Sequence, residues 1–326
     1  MAAVAACHLA KNQSRHQPVA WTFYAIALKE LHTALPDPII ARLDSTLGAC
    51  LMLCVFEISL PEHSRWSKHL RGARDLILLR GRPKTPHYLT RIFSRLDVSA
   101  ALTAGRGPLI QGEYWLEEDV FDEDGNKRNA ILDWPAYDLN GVMINHFHYL
   151  MTFMAQLSRL SSESMATAKS QGARIDSKLA EWWQSRPPVL RDQENNWRCQ
   201  LRSQKLTLLQ TLEKEAFSSI KSCMYGCVIY LNHLLNPLGC QPESPEVTKA
   251  IKEILENAQE VPEGYGLEMG HYWGLFMVGI SVFNDKDKEA LLRRKLSLNP
   301  RTSIYALKYS FLYSVRGSDD EAMLVP

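Results

Sequence analysis

Between Pro38 and Pro83 apolar side chains return every third or fourth residue, and this spacing constrains the fold more than any other feature of the chain. Ile40, Leu43, Leu47, Cys50, Leu51, Cys54, Val55 and Ile58 form one run, and Trp66, Leu70, Ala73, Leu76, Ile77 and Leu79 form the next. Such recurrence lays apolar groups along one side of a helix of about 3.6 residues per turn, whereas a half-buried strand needs strict alternation. Pro38 is tolerated in a first helical turn, and Pro61 lies just past the end of the first run. Gly81 suits a helix C-terminus, and Pro83 prevents continuation. The spacing therefore predicts a helical hairpin whose buried seam carries Phe56 and Trp66. Gly72, inside the second helix, costs about 1 kcal/mol against alanine, so it reads as a position of close contact.

The same period recurs along the chain. Ala20, Phe23, Tyr24, Ala27, Leu28 and Leu31 predict a helix over 18–35, ended by Pro36 and Pro38. Ile92, Phe93, Leu96, Ala100 and Leu102 predict another, stopped by Gly105, Gly107 and Pro108. Val142, Ile144, Phe147, Leu150, Met151, Met154, Leu157 and Leu160 give a stripe over 141–160, and the longest periodic segment runs from Leu206 to Leu235. A shorter helix is expected from Pro245 to Ala258, with Ser244 as its N-cap. Residues 111–140 and 161–200 lose the period and read as long loops, and 316–326 as a tail. Met1 to Cys7 reads as a helix fragment, because no basic region precedes it and His8 and Lys11 interrupt it. The expected fold is all-α: a single helical domain, residues 1–326, of roughly ten helices packed as a bundle with solenoid-like hairpins.

Charge and cysteine usage narrow the function. Lysine and arginine number 37 against 36 acids, a net charge of +1, so the chain as a whole has no electrostatic footprint for nucleic acid. Between residues 65 and 95, however, Arg65, Lys68, Arg71, Arg74, Arg80, Arg82, Lys84, Arg91 and Arg95 face a single acid, Asp75. Lys68, Arg71, Arg74 and Arg82 mark a basic face that is either simply solvated or a seat for the acidic loop Glu113, Glu117, Glu118, Asp119, Asp122, Glu123 and Asp124, or else a partner or nucleic-acid surface. Cys50 with Cys54 and Cys223 with Cys227 are spaced by four on apolar faces, where free cysteine packs as a small hydrophobe rather than as a zinc ligand. His146 and His148 point to different sides of a helix and make poor co-ligands. His63, His69 or His87 could serve as a base, but no nucleophile motif, dinucleotide fingerprint or phosphate loop accompanies them. Asp122 to Asn126 lacks the closing glutamate of a calcium loop, and Asp319-Asp320 is not the paired-acid motif of a diphosphate-ionising enzyme.

The stretch Asp44 to Ile58, followed by Arg65-Trp66-Ser67-Lys68-His69-Leu70-Arg71-Gly72-Ala73-Arg74-Asp75-Leu76-Ile77 and Arg80-Gly81, resembles the start of the fungal-specific transcription factor domain. That domain is the helical regulatory region C-terminal to a zinc binuclear cluster in many fungal regulators. Arg91 to Leu109, Ala216 to Leu231, and Tyr272-Trp273-Gly274-Leu275-Phe276-Met277-Val278-Gly279-Ile280 resemble later blocks of it, with Gly274 where proline is commoner. The resemblance spans roughly residues 40 to 295. It implies that Glu57, Trp66, His69, Leu70, Gly72, Ala73, Gly81, Trp273 and Phe276 are structural members of the family's motifs.

What the resemblance implies is a nuclear regulator that senses an effector or contacts other transcription proteins, with no catalytic, cofactor-binding or metal-binding residue in this chain. Zinc is expected only in an N-terminal cluster, whose six-cysteine array does not occur in this sequence. Ala6-Cys7-His8-Leu9-Ala10 is similar to a motif inside the family's domain, so the expectation is a gene model lacking its 5′ exons or a regulator without its own DNA-binding module. DNA would then be reached only indirectly or through a missing module, and no membrane is involved. The alternative is a helical enzyme or accessory protein of fungal secondary metabolism, against which stands the lack of a paired acid–base or metal constellation.

Overall fold

A computed structural model describes residues 1–10, 13–58, 65–82, 87–111, 114, 120–121, 127–128, 132, 139–192, 207–236, 244–260 and 269–281. The fold is all-α, as the periodicity predicts. In chain order the helices are α1 (Ala2–Ala10), α2 (Gln17–Ala34), α3 (Pro38–Ala41), α4 (Asp44–Ile58), α5 (Trp66–Arg80), α6 (Tyr88–Thr103), α7 (Leu139–Leu160), α8 (Met165–Gln184), α9 (Leu208–Leu235), α10 (Pro245–Glu260) and α11 (Met269–Ser281). The extended exception among the described residues is a two-residue antiparallel pair, β1 (Val120–Phe121) with β2 (Lys127–Arg128), in register Val120↔Arg128 and Phe121↔Lys127.

Among the described residues the contacts gather into two compact units, one over 1–96 and one over 97–281. In the first unit α4 is buried on most of its circumference: Leu47, Cys50, Leu51, Leu53, Cys54, Phe56 and Glu57 are all inside. A helix that is apolar all round belongs in a core, so α4 is the central helix of this unit rather than a one-sided surface helix. Cys50 and Cys54 face α5, where their thiols donate to the carbonyls of His69 (3.1 Å) and Trp66 (3.5 Å). The falling number on one helix against the rising number on the other makes α4 and α5 antiparallel. Phe56 faces the opposite way and packs with Ala3, Ala6 and Cys7 of α1 and Ala20 of α2.

Four expectations for this region are corrected. Ile40 and Leu43 do not continue the α4 stripe, since both are exposed and the chain breaks at Arg42–Leu43. The break has a local cause: Asp37 Oδ1 accepts from the amides of Ile39 (2.8 Å) and Ile40 (3.3 Å), capping the separate short helix α3. Leu79 is exposed instead of lying in the seam, which Leu70, Ala73, Leu76 and Ile77 fill. Trp66 is half-buried, and Phe56, although fully buried, packs on α1 and α2 rather than in the α4–α5 seam. Gly72 is not a close contact either, because a Cβ there would meet Cys50 Sγ at 3.5 Å, an ordinary van der Waals distance. Gly81 closes α5 with φ 82°, a conformation that glycine reaches without strain.

In the second unit α9 is the hub, in contact with α7, α8, α10 and α11. It starts with a reciprocal cap in which Thr207 N–H donates to Gln210 Oε1 (3.0 Å) and Gln210 N–H to Thr207 Oγ1 (3.2 Å). Phe147, Leu150, Met151, Met154 and Leu157 of α7, Ile220, Cys223 and Cys227 of α9, Ile251 and Ile254 of α10, and Trp273 and Met277 of α11 form one core. A Cβ on Gly274 would lie 2.1 Å from Ser222 Oγ and 2.7 Å from the Ser222 carbonyl oxygen, so α9 and α11 meet backbone to backbone. Residues 161–200 are not a loop throughout: α8 occupies Met165–Gln184, capped by Ser164 Oγ accepting from Thr167 N–H (3.3 Å). Ala168, Gly172, Ile175, Leu179 and Trp182 are its buried stripe. Around 111–140 the described residues hold β1 and β2; the acids Glu113, Glu117, Glu118 and Asp119, the segment Asp122 to Asn126, His63 and the tail 316–326 lie outside the described residues.

Candidate functional site

The α4–α5 hairpin carries most of the residues that the sequence singles out, and it presents chemistry on two sides. The inner side is polar at one point. Glu57 sits on α4 at 2% exposure, where an uncompensated carboxylate would be costly. The cost is offset from two directions: the Tyr24 hydroxyl of α2 donates to Glu57 Oε1, and His69 Nε2 of α5 lies 3.4 Å from the same oxygen. His69 Nε2 is also 3.1 Å from Tyr24 Oη. Because the tyrosine proton goes to Glu57, the phenol oxygen accepts, and His69 must hold its proton on Nε2 to donate there. Among the described residues Glu57 Oε2 has no hydrogen-bond partner.

Tyr24 is stacked on Phe56 at 4.8 Å and meets His69 edge-on at 6.2 Å. Burial and the bond to Glu57 push its phenol well above the ordinary tyrosine range. The same burial pushes Cys50 and Cys54 up to about 12, with the Asp75 charge adding at Cys50 and the Cys50 and Glu57 charges at Cys54. A glutamate–histidine pair is a familiar general base. The nearby thiols are instead engaged with carbonyl oxygens and held protonated, so they supply no nucleophile. The trio is therefore a buried polar pin joining α2, α4 and α5.

The outer side is basic and apolar. Lys68 and Arg71 of α5 are exposed, and Arg71 Nε donates to the carbonyl of Ser67, one turn back, at 3.4 Å. Arg74 is paired with its neighbour Asp75 at 2.7 Å, and Arg82 is exposed just past the Gly81 cap. Arg80 reaches back to Asp44 at the start of α4, and His87 Nε2 lies 3.0 Å from the other Asp44 oxygen. Those contacts hold the Asp44 carboxyl below its ordinary value, the Arg80 hydrogen bond most of all.

Trp273 of α11 is buried and Phe276 half-buried, stacked at 6.0 Å, in the second unit. The pattern reading missed the polar role of Tyr24, which it counted only as an apolar position, and it missed Asp44, whose partners lie far along the chain. His146 is a buried structural group rather than a ligand, since its Nδ1 accepts from the Trp182 indole N–H at 3.2 Å. Burial, with the Arg186 charge, lowers it to about 4. Among the described residues no group of three or more histidine, cysteine or acidic side chains gathers as a metal site, and no helix is long and apolar enough to cross a membrane.

A family model described as the fungal specific transcription factor domain matches residues 1–308. No curated protein and no solved structure matches the chain.

Proposed function

The chain belongs to the fungal specific transcription factor domain family, and from that premise we propose that it acts in the nucleus as the regulatory region of a transcription factor, working by partner contact or effector sensing. The observation that carries this reading is the family match over residues 1–308. The hairpin supports partner contact: its inner side is committed to packing and to the Tyr24–Glu57–His69 pin, while its outer side offers unburied basic and apolar groups. Contact with DNA would then come through another module, since a net charge of +1 leaves only the α5 face to attract phosphate.

The test is a tethering assay. The chain is fused to a heterologous DNA-binding module upstream of a reporter, and a fluorescent fusion is imaged in the same cells. Expected are nuclear accumulation and a reporter level that differs from that of the module alone. A reporter unmoved by the tethered chain, with the fusion excluded from nuclei, would remove the reading.

A further inference from the structure

We propose that the end of the α4–α5 hairpin is a docking surface for a short amphipathic peptide segment of a partner protein, one bearing acidic and bulky apolar side chains. Asp44 binds both Arg80 and His87, which fixes the start of α4, the end of α5 and the start of α6 at one place. Leu43, Leu79 and Tyr88 are each the immediate chain neighbour of one of these three residues, so their Cα atoms lie about 3.8 Å from the knot's own. With Ile39 of α3 and Leu78 of α5 they are exposed, from 44% for Leu79 to 77% for Ile39. Singly exposed apolar residues are ordinary on a protein surface, but several large ones around one polar knot mark an interaction site.

Charge decides the occupant. Each acid in this region is already engaged: Asp37 with the α3 amides, Asp44 with Arg80 and His87, and Asp75 with Arg74. Arg42, Lys68 and Arg71 are exposed and have no acidic partner among the described residues. Arg71, Asp75 and Leu78 follow at four and three residues, so arginine and leucine share the outward stripe of α5. A ligand that covers the leucines therefore meets arginine at the rim, and acidic side chains complement it.

The inference deepens the regulatory reading and rests on it only for the partner's cellular role, because the measurement is made in vitro without transcription. The probe is a short fluorescein-labelled peptide whose helix carries leucine and phenylalanine on one side and aspartate and glutamate on the other. Fluorescence polarisation with the full chain should show saturable binding that weakens with salt. The double variant Leu78→Ser/Leu79→Ser should weaken it by about tenfold or more, and Arg42→Glu/Arg71→Glu should do the same and abolish the salt dependence. Thermal melts of both variants should match the parent, since all four side chains are on the surface. Equal affinity for a peptide with lysine in place of its acids, or undiminished binding by both variants, would overturn the proposal. So would a dimer in light scattering that Leu78→Ser/Leu79→Ser dissociates, which would make a second copy of the chain the occupant.

Discussion

Tyr24 and Glu57 illustrate how a buried charge is tolerated when its partners come from other helices. Replacing Tyr24 by phenylalanine keeps the ring that stacks on Phe56 but removes the donor to a carboxylate that has no access to water. The expected loss is about 1–3 kcal/mol, read as a lower urea midpoint. In the Glu57→Gln background the same change should cost measurably less, because a neutral amide has less to lose; equal costs in the two backgrounds would mean that Tyr24 acts only through packing. The close contact that the pattern suggested at Gly72 is found instead at Gly274. Gly72→Ala meets only the Cys50 sulfur at 3.5 Å and should raise stability by about 0.5–1 kcal/mol through helix propensity. Gly274→Ala would drive a methyl into Ser222 and should destabilise by about 1–3 kcal/mol or more. A pair of thermal melts shifting in the same direction would contradict this assignment.

At the scale of elements, Asp44 ties together three helix termini, and its titration makes that tie depend on pH. A carboxyl whose native value lies below its ordinary 3.8 contributes stability above that ordinary value and loses it as pH falls through the depressed native one. Asp44→Asn should therefore flatten the acid side of the stability–pH curve while leaving the slope near neutrality unchanged, as chemical denaturation across pH would show. The half-burial of Trp66 sets a second expectation: Trp66→Ala should cost less than Leu70→Ala, for which a fully enclosed leucine predicts about 2–5 kcal/mol. Helices with bulky apolar stripes, such as α7 and α9, were legible in the sequence because their period comes from leucine, isoleucine and methionine. Helix α8 was not, because Ala168 and Gly172 occupy two positions of its stripe and are too small to register against polar neighbours. The hairpin was readable as two helices, but the centrality of α4 was not: Phe56 and Leu53 break the one-sided pattern, and only α1 and α2 packing over Phe56 explains why. Of the candidate site, Glu57 and His69 came from the motif, while Tyr24 and Asp44 depend on contacts between distant segments that no local period encodes.

For the whole molecule, near-neutral charge sets an expectation about nucleic acid. The purified chain should give no sequence-preferring gel shift at physiological salt, and any retardation at low salt should vanish as ionic strength rises. A preference that survives salt would place a specific DNA-reading surface in the chain itself. The sulfur atoms carry a consequence of another kind. Cys50 and Cys54 are enclosed between α4 and α5, and Cys223 and Cys227 in the core around α9. An alkylating reagent needs a thiolate and a path to it; burial closes the path to all four and also holds Cys50, Cys54 and Cys227 protonated while their helices stay closed. Each pair is thus a native stopwatch for the opening of its own part of the chain. Labelling in graded urea, followed by peptide mass spectrometry, would time the two openings in one sample: coincident midpoints mean one cooperative unfolding event, and separate midpoints mean that the hairpin can let go while the α9 core holds.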